Sequence, residues 1–242
     1  MRLFHALFFV LAMVGLGLFA ISCGSSSAQY RVVHTIPGLT FNVDIDVNVA
    51  TPSSTTATFP NVGFGSAEPS SGYQKIATGS DPIVVFQTGT TTPVIASTAL
   101  NLSSNPYTVL LLGAGGTQTS AHVQLLTDNN NAPTAGNGEF RIVNASPSAP
   151  SGSVDVYLVP PGTSIGAIPP NVSALGYGQP SSYVSLTAAN YLLYVTPQNN
   201  KTPYINGQGY MLSAGQISTI VLVDVSGGGA LSGVPLLLTD VK

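Results

Sequence analysis

The chain has 242 residues, of which 44% are apolar and only 6% are charged, and this apolar fraction supports packed cores despite 26 Gly and 18 Pro. The formal net charge of −3 offers no basic surface to a phosphate backbone, which excludes nucleic acid as a partner. The single cysteine excludes both a disulfide scaffold and a cysteine-based metal knuckle.

The N-terminal segment has the pattern of an export signal. Arg2 gives a short positive start, residues 3–21 are almost continuously apolar, and small residues precede Cys23. This order resembles the signal of bacterial lipoproteins, in which cleavage before the cysteine is followed by acylation of its thiol. The resemblance implies a helical signal peptide at residues 1–22, lipidation with palmitate at Cys23 and a tether at residues 23–29.

Two other interpretations of this segment stay open. It also fits an ordinary secretory signal cut near residues 26–28, or an uncut spanning helix, because about 20 apolar residues cross a bilayer. The lipoprotein interpretation predicts a protein anchored to the membrane of the bacterial cell envelope through Cys23. No aspartate follows Cys23 as it does in inner-membrane retention signals, which favours the outer membrane or the cell surface. Without the anchor, the protein would be secreted.

A segment near the start of the exported chain returns near its middle. Residues 31–37, Arg-Val-Val-His-Thr-Ile-Pro, correspond to residues 141–147, Arg-Ile-Val-Asn-Ala-Ser-Pro. The Leu-Leu-Thr-Asp of residues 125–128 recurs at residues 237–240, and the spacing between the two copies is almost the same as for the first pair of segments. The order of matches indicates a tandem duplication, with a unit longer than the solenoid repeats of about 20–50 residues.

The boundary between the two copies falls in a stretch of turn-forming residues. Residues 129–138 lack apolar periodicity and are rich in Asn and Gly. The sequence therefore predicts a first domain at residues 30–128, a linker at residues 129–138 and a second domain at residues 139–242.

The period of two within each copy is typical of β-strands. In residues 41–49, apolar side chains alternate with Asn42, Asp44, Asp46 and Asn48, which predicts a half-buried strand whose polar row faces water. Short apolar runs bounded by turn residues predict buried strands at residues 83–86, 107–112, 191–195 and 217–225. No sustained helical period follows the signal, so we predict antiparallel β-sandwich domains.

The two copies resemble the bacterial modules called domain of unknown function 4397 (DUF4397). Beyond its opening segment, the second copy has the Val-Asp-Val-Tyr strand at residues 154–157, the Gly-Tyr-Gly turn at residues 176–178 and the Ser-x-Tyr strand at residues 181–183. The first copy departs at Asp46, where tyrosine is expected. The resemblance implies two tandem all-β, immunoglobulin- or transthyretin-like sandwiches in exported, often lipid-anchored proteins, and it brings no catalytic residues.

Asp44 and Asp46 form a weak candidate calcium site. They stand two apart on one strand, so both carboxylates point to the same face, where Asn42 or Asn48 could help to coordinate a cation. A solvated sheet face explains the pair more simply, because the second copy has only Asp155 there. We therefore predict no metal and no other cofactor.

Four further charged residues occupy matching positions in the two copies. For Arg31 and Arg141 the repetition favours a structural ion pair, or a cap on a sheet end, over a ligand contact. For Asp128 and Asp240 it favours turns in which the carboxylate accepts backbone N–H groups.

No set of residues points to catalysis. His34 and His122 are the histidines that remain after export, and neither has a counterpart in the other copy. The glycines at residues 113–116 follow a strand, but no helix follows to present its N-terminus to a phosphate, so a hairpin turn is predicted there. The sequence therefore predicts a protein that is not an enzyme.

Aromatic residues near turns are the remaining candidates for ligand contact. Phe64, Tyr73, Tyr177 and Tyr183 could stack on sugar rings or on a partner protein. We therefore predict a non-enzymatic envelope lipoprotein that acts in binding or structure, with a cell-envelope protein or polysaccharide as its partner. The alternative is a carbohydrate- or polymer-binding accessory protein of the cell surface.

Overall fold

The computed structural model describes residues 26–114, 118–149 and 152–240, which form β-strands in four sheets together with a 3₁₀ turn at Gln118–Ser120. The predicted all-β class is confirmed. The signal segment at residues 1–22 and the lipidation residue Cys23 lie outside the described residues.

The first half of the molecule comprises residues 26–128 and the second half residues 137–240. The strands of the first half are β1 (Ser27–His34), β2 (Val43–Val47), β3 (Phe59–Val62), β4 (Ala67–Glu68), β5 (Gln74–Ala77), β6 (Gly79–Gln87), β7 (Pro93–Leu102), β8 (Pro106–Leu112) and β9 (His122–Thr127). The strands of the second half are β10 (Asn137–Asn144), β11 (Ser153–Val159), β12 (Val172–Gly176), β13 (Val184–Thr187), β14 (Ala189–Pro197), β15 (Ile205–Leu212), β16 (Ile217–Leu222) and β17 (Leu236–Asp240).

The two halves have the same strand order. In the first half, sheet A has the order β4–β1–β8–β9, with β5 also paired to β1, and sheet B has the order β3–β2–β6–β7. In the second half, sheet C has the order β13–β10–β16–β17, and sheet D has the order β12–β11–β14–β15. In the second half, the isolated bridge between Val143 and Pro180 occupies the position that corresponds to the pairing of β4 with β1 in the first half.

Sheets A and C are mixed, so the prediction of purely antiparallel sheets is wrong. Strand β1 runs parallel to β8, and β10 runs parallel to β16. A parallel pair needs a long crossover connection, whereas a tight hairpin joins antiparallel strands. Here the crossover is the rest of each half, because β1 and β10 open the halves and β8 and β16 come near their ends.

Apolar side chains join the sheets in the order B, A, C, D. One core lies between sheets B and A and includes Ile45, and another lies between sheets C and D and includes Ile220. A further cluster joins sheets A and C through residues such as Leu110 and Val221. Sheets A and C are therefore covered on both faces, which explains why β8 and β16 are buried almost without interruption.

Two strands begin earlier than the sequence predicts. Strand β1 starts at Ser27, inside the predicted tether at residues 23–29, because Ala28 is buried and pairs with β5. Strand β10 starts at Asn137, inside the predicted linker at residues 129–138. A Cβ on Gly138 would lie 2.7 Å from the Leu212 side chain, so this glycine permits close packing instead of serving a flexible linker.

Strand β2 is buried on both faces, which corrects the prediction of a half-buried strand with a solvated polar row. Asp44 and Asp46 are only 2% and 1% exposed, whereas Asn42 and Asn48, which flank β2, are exposed as predicted. The connection from β2 to β3 folds over this end of sheet B, where Ser53 and Thr58 donate their backbone N–H groups to the Asp46 carboxylate at 2.6 and 3.1 Å.

Candidate functional site at the contact between sheets A and C

Four charged side chains meet where sheets A and C pack together. Arg31 of the first half pairs with Asp240 of the second, and Arg141 of the second half pairs with Asp128 of the first. The Arg31 Nη2 atom also lies 3.6 Å from Asp128 Oδ2. All four side chains are at most 4% exposed. We call these four residues the charge cluster. The arginine of each half pairs with the aspartate at the C-terminal end of the other half.

Threonine hydroxyls orient the guanidinium groups. Arg31 Nε donates to Thr108 Oγ1 at 2.9 Å, and Arg141 Nε donates to Thr219 Oγ1 at the same distance. Thr108 in turn donates its hydroxyl to Asp128 Oδ2 at 2.7 Å. Sequence reasoning missed both threonines, although they stand at matching positions of β8 and β16. Those matching positions are the signal that could have found them.

The structural role predicted for the arginines is confirmed as an ion pair, but the turn role predicted for the aspartates is wrong. Asp128 and Asp240 accept hydrogen bonds from side chains instead of capping a turn with their carboxylates. The reason is the packing of sheet A on sheet C, which brings the end of each half beside the arginine of the other.

Two of the predicted aromatic residues donate hydrogen bonds to the charge cluster. Tyr73 donates its hydroxyl to Asp128 Oδ2 at 2.7 Å, and Tyr183 donates to Asp240 Oδ2 at 2.9 Å. The Arg31 guanidinium lies over the Tyr73 ring, 5.0 Å from its centroid. Burial raises the pKa of both phenols, and the neighbouring carboxylates add to the rise, so both remain neutral donors at physiological pH.

The other two predicted aromatic residues also contact the A–C interface. Tyr177 donates its hydroxyl to the backbone oxygen of Gly113, across the two halves, at 3.1 Å. Phe64 packs edge-on against His34 with ring centroids 6.1 Å apart. All four candidate rings are therefore half-buried and hold partners inside the molecule, and ligand binding by them stays a prediction.

A cavity of about 200 Å³ lies beside the charge cluster, between the loop of residues 69–72 and strand β17. Arg31 lines it, but the guanidinium is already engaged, since its Nη1 donates to the Thr239 backbone oxygen at 2.8 Å. The charges and donors of the cluster are thus matched among themselves, which suits a structural role better than acid–base chemistry.

The Asp44 carboxylate accepts hydrogen bonds from two turns at the end of sheet B. Its Oδ1 accepts the Asn61 backbone N–H at 2.7 Å, and its Oδ2 accepts the Gly89 backbone N–H at 3.0 Å. Both donors have left-handed backbones, with φ of 58° and 74°. In the second half, Asp155 accepts two backbone N–H groups in the same way, both at 2.9 Å.

Within the described residues, no three His, Cys, Asp or Glu side chains come together as metal ligands. At the weak calcium candidate, the carboxylates of Asp44 and Asp46 already accept backbone N–H groups. A cation there would have to compete with these bonds. No described helix has the length and apolar character needed to span a membrane.

Replacing Asp44 by asparagine is expected to lower the free energy of unfolding by about 2 kcal/mol, because a charged acceptor of backbone N–H groups becomes a neutral one. The amides of Asn61 and Gly89 should exchange hydrogen faster in the native state. The matched control is Asp46→Asn, which should accelerate the amides of Ser53 and Thr58 instead. Unchanged protection of Asn61 and Gly89 in Asp44→Asn would contradict the proposed anchoring.

Comparisons with known proteins identify a family for part of the chain. Residues 28–157 match the family model described as "Domain of unknown function (DUF4397)", from within β1 to within β11. No curated protein matches the chain. A solved structure of the family CBM26 module CBMbc of Eubacterium rectale Amy13K, in complex with maltoheptaose, is similar at 9% identity. The alignment covers 89% of this chain and 98% of that one. Its TM-score is 0.27, and we draw no conclusion about fold or ligand from this similarity.

Proposed function

The chain belongs to the DUF4397 family, and we propose that it is a non-enzymatic protein of the bacterial cell envelope that acts in binding or structure. In this proposal the chain consists of two tandem copies of the family module, each a two-sheet sandwich, held behind a lipid anchor at Cys23.

The proposal of two copies rests on agreement between sequence and topology. The segment at residues 31–37 recurs at residues 141–147, and both segments begin in the central strand that runs parallel to β8 or β16. The family match itself runs past residues 129–136 into the second half. A second copy that begins near β10 accounts for the recurring segment and for the shared topology.

The charge cluster is the single observation that carries the non-enzymatic role. Buried ionisable groups mark catalytic sites when they are left poised to exchange a proton or to attack a substrate. Here the buried arginines and aspartates pair with each other across the A–C interface. The pairing makes the two halves one body, as expected for a rigid module that presents a surface.

Binding in the envelope is tested with the chain from residue 26 to residue 242, which contains every described strand. It is expected to recover a cell-envelope component from solubilised membranes in a pull-down. A glycan array tests the carbohydrate alternative, which has less support because Phe64, Tyr73, Tyr177 and Tyr183 are half-buried and already contact partners within the molecule. Turnover of a glycan or ester substrate by the purified protein would overturn the non-enzymatic proposal.

Palmitate labelling tests the anchor. Cells that express the full chain are expected to label it with palmitate and to retain it in the membrane fraction, because two or more acyl chains give a durable anchor. Cys23→Ala should abolish the labelling and release the protein. Ser25→Ala is the matched control and should behave like the wild type. Equal labelling of Cys23→Ala and wild type would remove the lipoprotein proposal.

A further inference from the structure

An apolar cleft opens between β15 and β17, the edge strands of sheets D and C. Its volume is about 200 Å³. Leu193, Tyr210 and Ile220 form its buried side, whereas Val234 and Leu237 line it while being 64% and 50% exposed. Among the described residues, no charged side chain lines this cleft. We call it the β15–β17 cleft.

The corresponding place in the first half is closed. Leu125 stands opposite Val109 in the register of β8 and β9, as Leu237 stands opposite Ile220 in the register of β16 and β17. Leu125 and its neighbour Val123 pack against the first core, whereas Leu237 remains half exposed. The second half therefore leaves open an apolar surface that the first half covers with its own aliphatic side chains.

The lining of the cleft defines the chemistry of an occupant. An ion would lose its hydration without gaining a counter-charge, so the occupant is neutral. Because an apolar cavity of about 150 Å³ accommodates benzene, this one suits a group of about six to eight heavy atoms.

Two polar side chains lie at the cleft, one of them buried and one exposed. The Tyr210 hydroxyl is buried and forms no hydrogen bond among the described residues. Burial raises the pKa of Tyr210, and the nearby Ser218 opposes the rise without reaching hydrogen-bonding geometry. Gln208, which is exposed, adds an amide at the cleft. A ligand that carries one hydroxyl would therefore find a partner in the exposed Gln208 amide.

We propose that the β15–β17 cleft binds a neutral apolar group the size of one ring or a short aliphatic chain that bears a hydroxyl. The apolar body packs on Leu193 and Ile220, and the oxygen bonds to the Gln208 amide. This site makes the proposed binding role more specific and rests on it. The lipid anchor at Cys23 is tested by a separate experiment. A failure of the cleft to bind is therefore distinguishable from a failure of the lipoprotein proposal.

The test is an NMR titration of the chain from residue 26 to residue 242 with p-cresol. Saturable shifts are expected at the methyl groups of Leu193, Ile220 and Leu237, with a rise in the thermal unfolding midpoint because the ligand binds only the folded state. The charged analogue 4-hydroxybenzoate should bind at least about tenfold more weakly, since its carboxylate finds no cation in the cleft. No shift with p-cresol, or equal binding of both compounds, would overturn the proposal.

Two variants locate the binding. Leu237→Trp fills the cleft from a half-exposed position, so it should keep the native circular dichroism spectrum and lower the p-cresol affinity at least about tenfold. Met211→Phe is the matched control, because Met211 is 66% exposed on the edge strand β15 and does not line the cleft. It should bind as the wild type does. Equal affinity of the two variants would show that p-cresol binds elsewhere and would sink the assignment.

Discussion

Replacing Asp128 by alanine is expected to lower the free energy of unfolding by about 3–5 kcal/mol, because the substitution leaves Arg141 buried without its counter-charge. The Arg141 side chain is only 3% exposed, so water cannot take the place of the carboxylate. Tyr73 and Thr108 would lose their acceptor as well. Urea unfolding followed by far-ultraviolet circular dichroism measures the change.

The reciprocal pair supplies the matched control. Asp240→Ala should also destabilise the protein, but by less, because Arg31 then loses Asp240 and keeps Asp128 at 3.6 Å. Lys75→Ala, at an exposed position on β5, should change the free energy by no more than about 0.5 kcal/mol. The double variant Arg141→Met with Asp128→Leu should recover most of the loss, since no unpaired charge remains. A loss below about 1 kcal/mol in Asp128→Ala would contradict the role assigned to the charge cluster.

The second large effect is a loss of stability at acidic pH. Between pH 6.5 and pH 4, the protein is expected to lose about 3 kcal/mol of stability through His34 alone. Burial lowers the pKa of His34 from 6.5 to about 4. The unfolded chain therefore takes up the proton first as the pH falls, and the loss is complete once the pH passes below the pKa of the folded state. Urea unfolding at a series of pH values measures this dependence.

His34→Asn isolates the contribution of the imidazole. The second half carries Asn144 at the matching position, where Oδ1 accepts the Ser146 backbone N–H and Nδ2 donates to the Leu175 backbone oxygen, both at 3.2 Å. The His34 Nδ1 lies 3.4 Å from the Ile36 backbone N–H, so asparagine can serve as an acceptor there too. The variant should match the wild type at pH 7 and lose about 3 kcal/mol less on acidification. An unchanged pH dependence would refute the assignment.

The sequence was sufficient to predict several of the strands, because a period of two and short β-branched runs are local signals. Strands were predicted at residues 107–112 and 191–195, and β8 and β14 cover them. The sequence was insufficient to predict which faces are buried. Asp44 and Asp46 alternate with apolar residues as solvated side chains would, but turns fold over them and their carboxylates bind backbone N–H groups.

The partners in the charge cluster could not be predicted for a related reason. The repeat marked Arg31 and Asp128 as positions of structural importance, but a repeat compares a residue with its copy and contains no information about contacts between copies. The crossed pairing of Arg31 with Asp240 depends on the way sheet A packs on sheet C. The aromatic prediction has the same limit, because turn-like sequence around Tyr73 and Tyr183 does not reveal that the other half lies against them.

The crossed pairing has a consequence for the short peptide that joins the halves. Residues 131–135 are largely exposed, and the attraction between the halves lies elsewhere, in the ion pairs and in the apolar cluster between the sheets. The peptide contributes by holding each half at a high effective concentration of the other. A proteolytic nick at residues 131–135 therefore converts an intramolecular contact into a two-fragment complex whose persistence depends on dilution.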